Sequence, residues 1–197
     1  GHQAGLNVST ARKATVIGNA AVGIGVMTGH ENTAIGNEAG YDLTGGASNT
    51  LIGVSAGANI TDGDNNSLVG KAAGFSVTTG GTNVAMGGDS MYYGTTVSQS
   101  VALGKNAGAG STGNNNIGIG YGAMNKDGLT GDNNIAIGVS AGDVITSGYQ
   151  NVCIGDGTDP STNSGNNQTA IGYGAQGQAN NSVTLGNASV TDVYMAQ

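Results

Sequence analysis

A four-residue run ending in glycine returns along the whole chain, and it constrains the fold more than any other feature. Thr15-Val16-Ile17-Gly18, Thr33-Ala34-Ile35-Gly36, Thr50-Leu51-Ile52-Gly53 and Ser67-Leu68-Val69-Gly70 open the series. It continues at Gly87, Gly104, Gly120, Gly138, Gly155, Gly172 and Gly186. Gly1 joins it, because residues 1–5 read like residues 36–40. Successive glycines are 17, 18, 17, 17, 17, 17, 16, 18, 17, 17 and 14 residues apart. Self-similarity at such a period marks a solenoid, in which each repeat packs only on its neighbours. The expectation is an all-β parallel β-solenoid, or β-roll, of about twelve coils of roughly seventeen residues over 1–186.

Each column of the repeat has a physical reading. The residue before the glycine is always large and aliphatic, from Ile17 through Met86 to Leu185. The residue three before it is Thr, Ser, Val or Ile in each of these coils. The two share one strand face, because side chains alternate with period two. That pairing predicts that both point into the coil, with Ile35, Ile52, Ile137 and Ile171 buried in one row. The residue between them, as in Ala34, Ala85, Ala102, Ala136 and Cys153, then points outward. Four before the glycine stands Asn32, Asn49, Asn66, Asn83, Asn116, Asn134 or Asn151. Identical amides stacked coil on coil form a ladder. Three after the glycine, Ala fills nine of twelve repeats, which suits a second short strand packed on the first. Between coils lies a loop of varying length, rich in the Gly, Asn and Asp that tolerate turn conformations.

The composition agrees. Glycine takes 39 of 197 positions without a three-residue period, so collagen is excluded. Ile, Val and Thr recurring on a fixed beat argue against disorder. The net charge is −7, and the five basic residues are scattered, so no row of phosphates is matched and nucleic acid is not expected as a partner. Cys153 is the single cysteine, so no disulfide framework exists. No apolar run reaches the ~18 residues of a membrane helix, and no membrane insertion is expected.

Two inward aliphatic side chains per coil make a thin core. An outward stripe of small uncharged residues would lie exposed on a lone chain, and such patches mark interfaces. A symmetric homo-oligomer is the simplest way to cover it, and physics alone leaves its number open.

Asn32–Gly40, Asn134–Gly142 and residues 168–175 carry Asn-Thr-Ala-Ile-Gly-Asn-Glu-Ala-Gly and close variants of it. This pattern resembles the YadA-like head repeats of trimeric autotransporter adhesins, across nearly the whole chain. The resemblance implies a left-handed parallel β-roll and a parallel homotrimer with one strand layer toward the axis. Those heads use a shorter period. Longer-period versions, and the tail Asn181–Tyr194, look like bacteriophage tail-fibre proteins. The implied function is a structural or adhesive trimeric fibre segment of a phage tail fibre engaged in host attachment, located on the virion tail. The alternative is the head of a bacterial trimeric adhesin on the cell surface. Possible receptors are a cell-surface glycan or protein. An ice-binding or calcium-stabilised solenoid is a weaker reading, since the Thr15, Thr33, Thr50 array ends at Ser67 and Val84.

No catalytic, cofactor or metal residue is assigned. A depolymerising enzyme needs paired carboxylates in a groove, whereas Asp and Glu here are scattered over loops. His2 and His30 fall in different repeats and read as solvated. Cys153 reads as a buried small residue at an interchain interface. Asp62-Gly63-Asp64 and Asp156-x-x-Asp159 lack a calcium-loop spacing and read as turn chemistry. Gly118-x-Gly120-x-Gly122 and Gly23-x-Gly25 precede no helical pattern, so they are not dinucleotide loops. Tyr92, Tyr93, Tyr121, Tyr149 and Tyr173 are either glycan contacts or loop packing. The drop to a fourteen-residue spacing, with Val190, Val193, Tyr194 and Met195 following, predicts that 187–197 leaves the solenoid path. The start at a repeat glycine predicts further coils or a stalk before residue 1.

Overall fold

A computed structural model describes residues 1–6, 8–23 and 26–194. Its regular elements are eleven short strands. They are β1 (Thr15–Ile17), β2 (Thr33–Ile35), β3 (Thr50–Ile52), β4 (Ser67–Val69), β5 (Val84–Met86), β6 (Val101–Leu103), β7 (Ile117–Ile119), β8 (Ile135–Ile137), β9 (Val152–Ile154), β10 (Gln168–Ile171) and β11 (Ser182–Leu185). Among the described residues there is no helix. The strands form one parallel sheet in strict chain order. Equivalent repeat positions stand on one another throughout: Thr33 pairs Thr50, and Ile35 pairs Ile52. The chain is a parallel β-solenoid of about ten turns. Met195 lies outside the described residues, as does Gly25.

The rest of each coil is turn rather than a second strand. The Ala three after the glycine closes a tight turn, as where Ala56 N–H donates to Gly53 O at 3.3 Å. The turns are nonetheless laddered coil to coil. Gly40 N–H donates to Ala56 O, Asp42 N–H to Ala58 O and Thr44 N–H to Thr61 O. Stacking equivalent turns thus satisfies backbone groups that a free loop would leave to water.

The strand faces are the reverse of the sequence expectation. In β3, Leu51 is fully buried while Ile52 is 36% exposed. Ala34, Ala85, Ala102, Ala136 and Cys153 are likewise buried inside the coil, so they do not face a neighbouring chain. Ile35 is half-buried, and Ile137 and Ile171 lie exposed on the outer face, so they form no buried row. The reason is parity. Asn49 and Leu51 are two apart and share a face, and the buried amide column fixes that face as the interior. In the four-residue β10, Gln168 and Ala170 are buried while Ile171 is exposed.

The aliphatic bulk of the interior comes from the turns. Leu43, Ile60, Val77, Val97, Leu129 and Ile145 are fully buried. Side-chain volume is traded between columns. Where the strand supplies Leu68, the residue four after the next glycine is Gly74, and a Cβ there would lie 2.6 Å from a Leu68 methyl. Where the strand supplies Ala85, Met91 fills the same turn position, and where it supplies Gly118, Met124 does. Interiors at crystal-like density need such compensation.

The repeat glycine is fixed by close approach as well as by conformation. Gly70 has φ 135°, and a Cβ on it would lie 2.6 Å from the carbonyl oxygen of Gly87 in the next coil. The residue before the Asn column takes the left-handed conformation in every coil, including the β-branched Thr82 at φ 61°. Stacked hydrogen bonds hold it there: Thr82 N–H donates to Asp64 O at 2.8 Å.

Candidate functional site

Three features of the solenoid bear on function: a buried amide ladder, an outer sheet face and an aromatic step.

The ladder runs from Asn32 to Gln168. The Asn32 carboxamide oxygen accepts from Asn49 N–H at 2.9 Å and from Asn49 Nδ2 at 3.1 Å. Asn49 Nδ2 also donates to Gly63 O at 2.8 Å. The same set recurs at Asn66, Asn83, Asn134 and Asn151. Ser100 continues it with one hydroxyl, accepting from Asn116 N–H at 3.1 Å. Gln168 N–H donates the last bond, to Asn151 Oδ1 at 3.0 Å. A second ladder, not evident in the sequence, stands six before the glycine. Asp64 accepts from Ala47 N–H at 2.7 Å, Asp132 from Asn114 N–H at 2.6 Å and Asn166 from Tyr149 N–H at 3.0 Å. Asp64 is therefore occupied in stitching coils together, and Asp62 stands exposed two residues before it.

The outer sheet face carries two columns along all eleven strands. One is Thr, Ser, Val and Ile; the other is Ile, Val, Met and Leu. Neither holds a charge. Ile17 is 54% exposed and Met86 46%. Just past the corner the next column is mixed: Val54, Tyr121, Val139 and Tyr173 are exposed there, and Asn37, Lys71, Lys105 and Asp156 interrupt them. At about 4.8 Å per strand, the ten steps of this face span roughly 50 Å.

Only two of the five singled-out tyrosines are brought together. The Tyr92 ring stacks on Phe75 at 5.0 Å, with the planes 9° apart. Tyr93 meets Tyr92 edge-on at 4.7 Å and 75°. A cavity of about 340 Å³ opens beside the pair, lined also by Asp89, Asn106 and Asn125. A second of about 280 Å³ lies on Tyr93, Thr112 and Asp127. Tyr121 and Tyr173 follow repeat glycines, and Tyr149 precedes a strand.

The remaining residues fall into place individually. His2 and His30 are both exposed, and the His30 ring accepts from Arg12 N–H at 3.1 Å. Cys153 is buried in the coil interior, and burial together with the charge of Asp159 pushes its thiol up to about 12. A thiol so placed is a poor nucleophile. Asp159 is itself pushed up to about 6, first by burial and then by Asp143, with the Val144 amide pulling the other way. Its coupled partner is thus Asp143 in the coil before, while Asp156 is exposed to solvent. One Asp159 carboxyl oxygen is buried without a hydrogen bond, as is one of Asp42, whose acid burial also raises. Gly118 sits in the inward strand column and Gly120 at the repeat corner, with Gly122 in the turn beyond. Among the described residues, no three His, Cys, Asp or Glu side chains are grouped to hold a metal.

No protein family, curated protein or solved structure matches the chain.

Proposed function

We propose that the chain is a structural and adhesive segment of a homotrimeric extracellular fibre, and not an enzyme. The reading favoured is a bacteriophage tail fibre engaged in host attachment, located on the virion tail. The observation that supports it is the outer sheet face: two uncharged columns, largely aliphatic and partly exposed, running the length of the solenoid. Contiguous apolar surface of this extent is an interface signature. Because every coil presents the same face, a second copy in parallel register meets it with matching periodicity. A closed symmetric arrangement covers the face in every chain, whereas open stacking leaves ends. The interface side is the Ile column, so Ala34, Ala136 and Cys153 stay within each coil.

A second reading, the head of a bacterial trimeric surface adhesin, is favoured by the Asn-Thr-Ala-Ile-Gly-Asn-Glu-Ala-Gly run at Asn32–Gly40. Light scattering of the purified segment tests the assembly: three chains are expected, and a stable single chain refutes it. The parent reading frame separates the two readings. A membrane-anchor barrel in it means adhesin; neighbouring virion structural genes mean tail fibre.

A further inference from the structure

We propose that the aromatic step at Tyr92 and Tyr93 is a binding site for a neutral oligosaccharide. This deepens the attachment reading and rests on it.

The site arises from a break in one column of the repeat. Five residues after successive glycines stand Tyr41, Ala58, Phe75, Tyr92 and Ala109. Phe75 and Tyr92 occupy adjacent coils and stack. The next coil offers only Ala109 and Gly110, so the stack ends abruptly. Tyr93 projects there, 55% exposed, while its N–H is tied to Ala109 O at 2.7 Å. The missing bulk is the cavity bounded by Tyr92, Tyr93 and Ala109. The second cavity adjoins it across Tyr93 and Gly110. One exposed ring thus borders two neighbouring hollows, each near the lower end of the ~300–1,000 Å³ typical of small-molecule sites.

The lining chemistry selects the ligand class. A pyranose ring has an apolar C–H face and a rim of hydroxyls that both donate and accept. Tyr93 offers the apolar platform with a polar tip. Asp89 supplies a carboxylate acceptor, and Asn106 and Asn125 supply amides that donate and accept. Asp127 and Thr112 repeat that provision in the second hollow. Among the described residues the lining holds two carboxylates and no cation, which disfavours uronic or sialic acids and leaves neutral sugars. The groups are also held in place. Tyr92 is fixed by Phe75, and the backbones of Asp89 and Asn106 are tied to Lys71 O and Gly88 O. Such pre-organisation lowers the entropic cost of binding a flexible glycan.

The test is calorimetric or NMR titration of the purified segment with neutral pentose, hexose and N-acetylhexosamine trisaccharides, and with trigalacturonic acid as the acidic control. At least one neutral probe is expected to bind in the millimolar range or tighter. Tyr93→Ala should weaken it roughly tenfold or more, and Asn106→Ala should weaken it independently should Tyr93→Ala disturb the fold. Tyr173→Ala, at an exposed tyrosine far along the chain, should leave it unchanged. Failure of all neutral probes, preference for the acidic one, or binding indifferent to both Tyr93→Ala and Asn106→Ala overturns the site. Mass by light scattering is read on the same samples. A trimer that ignores sugars refutes this site alone, whereas a sugar-binding single chain refutes the assembly alone.

Discussion

The two faces of the one sheet are built from adjacent residues and behave as different materials. The inner face is a column of Asn amides beside a column of mostly small side chains, Ala34, Ala85, Ala102, Gly118 and Ala136 among them. The outer face carries the larger aliphatic residues, Ile52, Met86 and Ile137, partly exposed to solvent. Size and hydrophobicity alone would assign the faces the other way round. A narrow coil reverses the assignment, because the turns already contribute Leu43, Ile60 and Val77 to the interior. Little room remains for the strand, so most of its large residues go to the outer face.

The largest contrast between the faces is expected within β3. Leu51→Asp places an unpaired charge in a fully buried site and should abolish the folded state, read as loss of the β-signature in circular dichroism. Ile52→Asp, one residue on, should leave each chain's coil intact. Equal damage from both would erase the distinction between the faces.

Glycines give a second contrast. Gly70→Ala meets both the φ of 135° and the Gly87 carbonyl, and should cost roughly 2–4 kcal/mol in denaturant unfolding. Gly88→Ala, where a Cβ would meet nothing within 4 Å, should be nearly neutral. A similar loss at both positions would show that coil contact does not govern the corner.

The amide ladder is expected to matter somewhat less per residue. Asn66→Ala leaves Asn83 N–H without its acceptor and Asn83 Nδ2 with only Val97 O, and should cost roughly 1–3 kcal/mol. Asn66→Ser should recover part of this, since Ser100 already occupies a ladder position. No recovery would mean that the column acts by shape alone.

How much of this was legible in the sequence depends on the column. The repeat, the strands and the Asn ladder follow from spacing, because period and turn residues are written in every coil. The identity of the inner face does not follow from alternation, which separates two faces without ranking them. The decisive signal was present in the Asn column, whose parity with Leu51 and Ala136 marks the inside. The turn-borne core was harder to see. Leu43 stands seven after its glycine but Leu129 stands nine, so the loop's variable length hides the column. The sequence pointed to five tyrosines; only stacking the coils shows that Phe75 lies on Tyr92 and that Ala109 follows it.

The smallest expected effect is one of pH. Asp159 titrates near 6 in the fold against an ordinary 3.8. Its acid form is therefore favoured by folding, and that stability is full below about pH 4 and lost as pH rises through about 6. Asp159→Asn should stabilise the chain at neutral pH by roughly 1 kcal/mol, discounted for partial exposure, and do little in acid. A variant equally stabilised at both pH values would place the carboxyl in water.

The central claim is that the outer aliphatic face joins identical chains. Sedimentation equilibrium of the Ile52→Asp/Ile137→Asp double variant, beside the unaltered segment, tests it most directly. The expected result is three chains for the unaltered segment and folded single chains, or misfolded material only on concentration, for the variant, because carboxylates would be desolvated where the faces meet. An unaltered trimer mass in the folded double variant would contradict the claim.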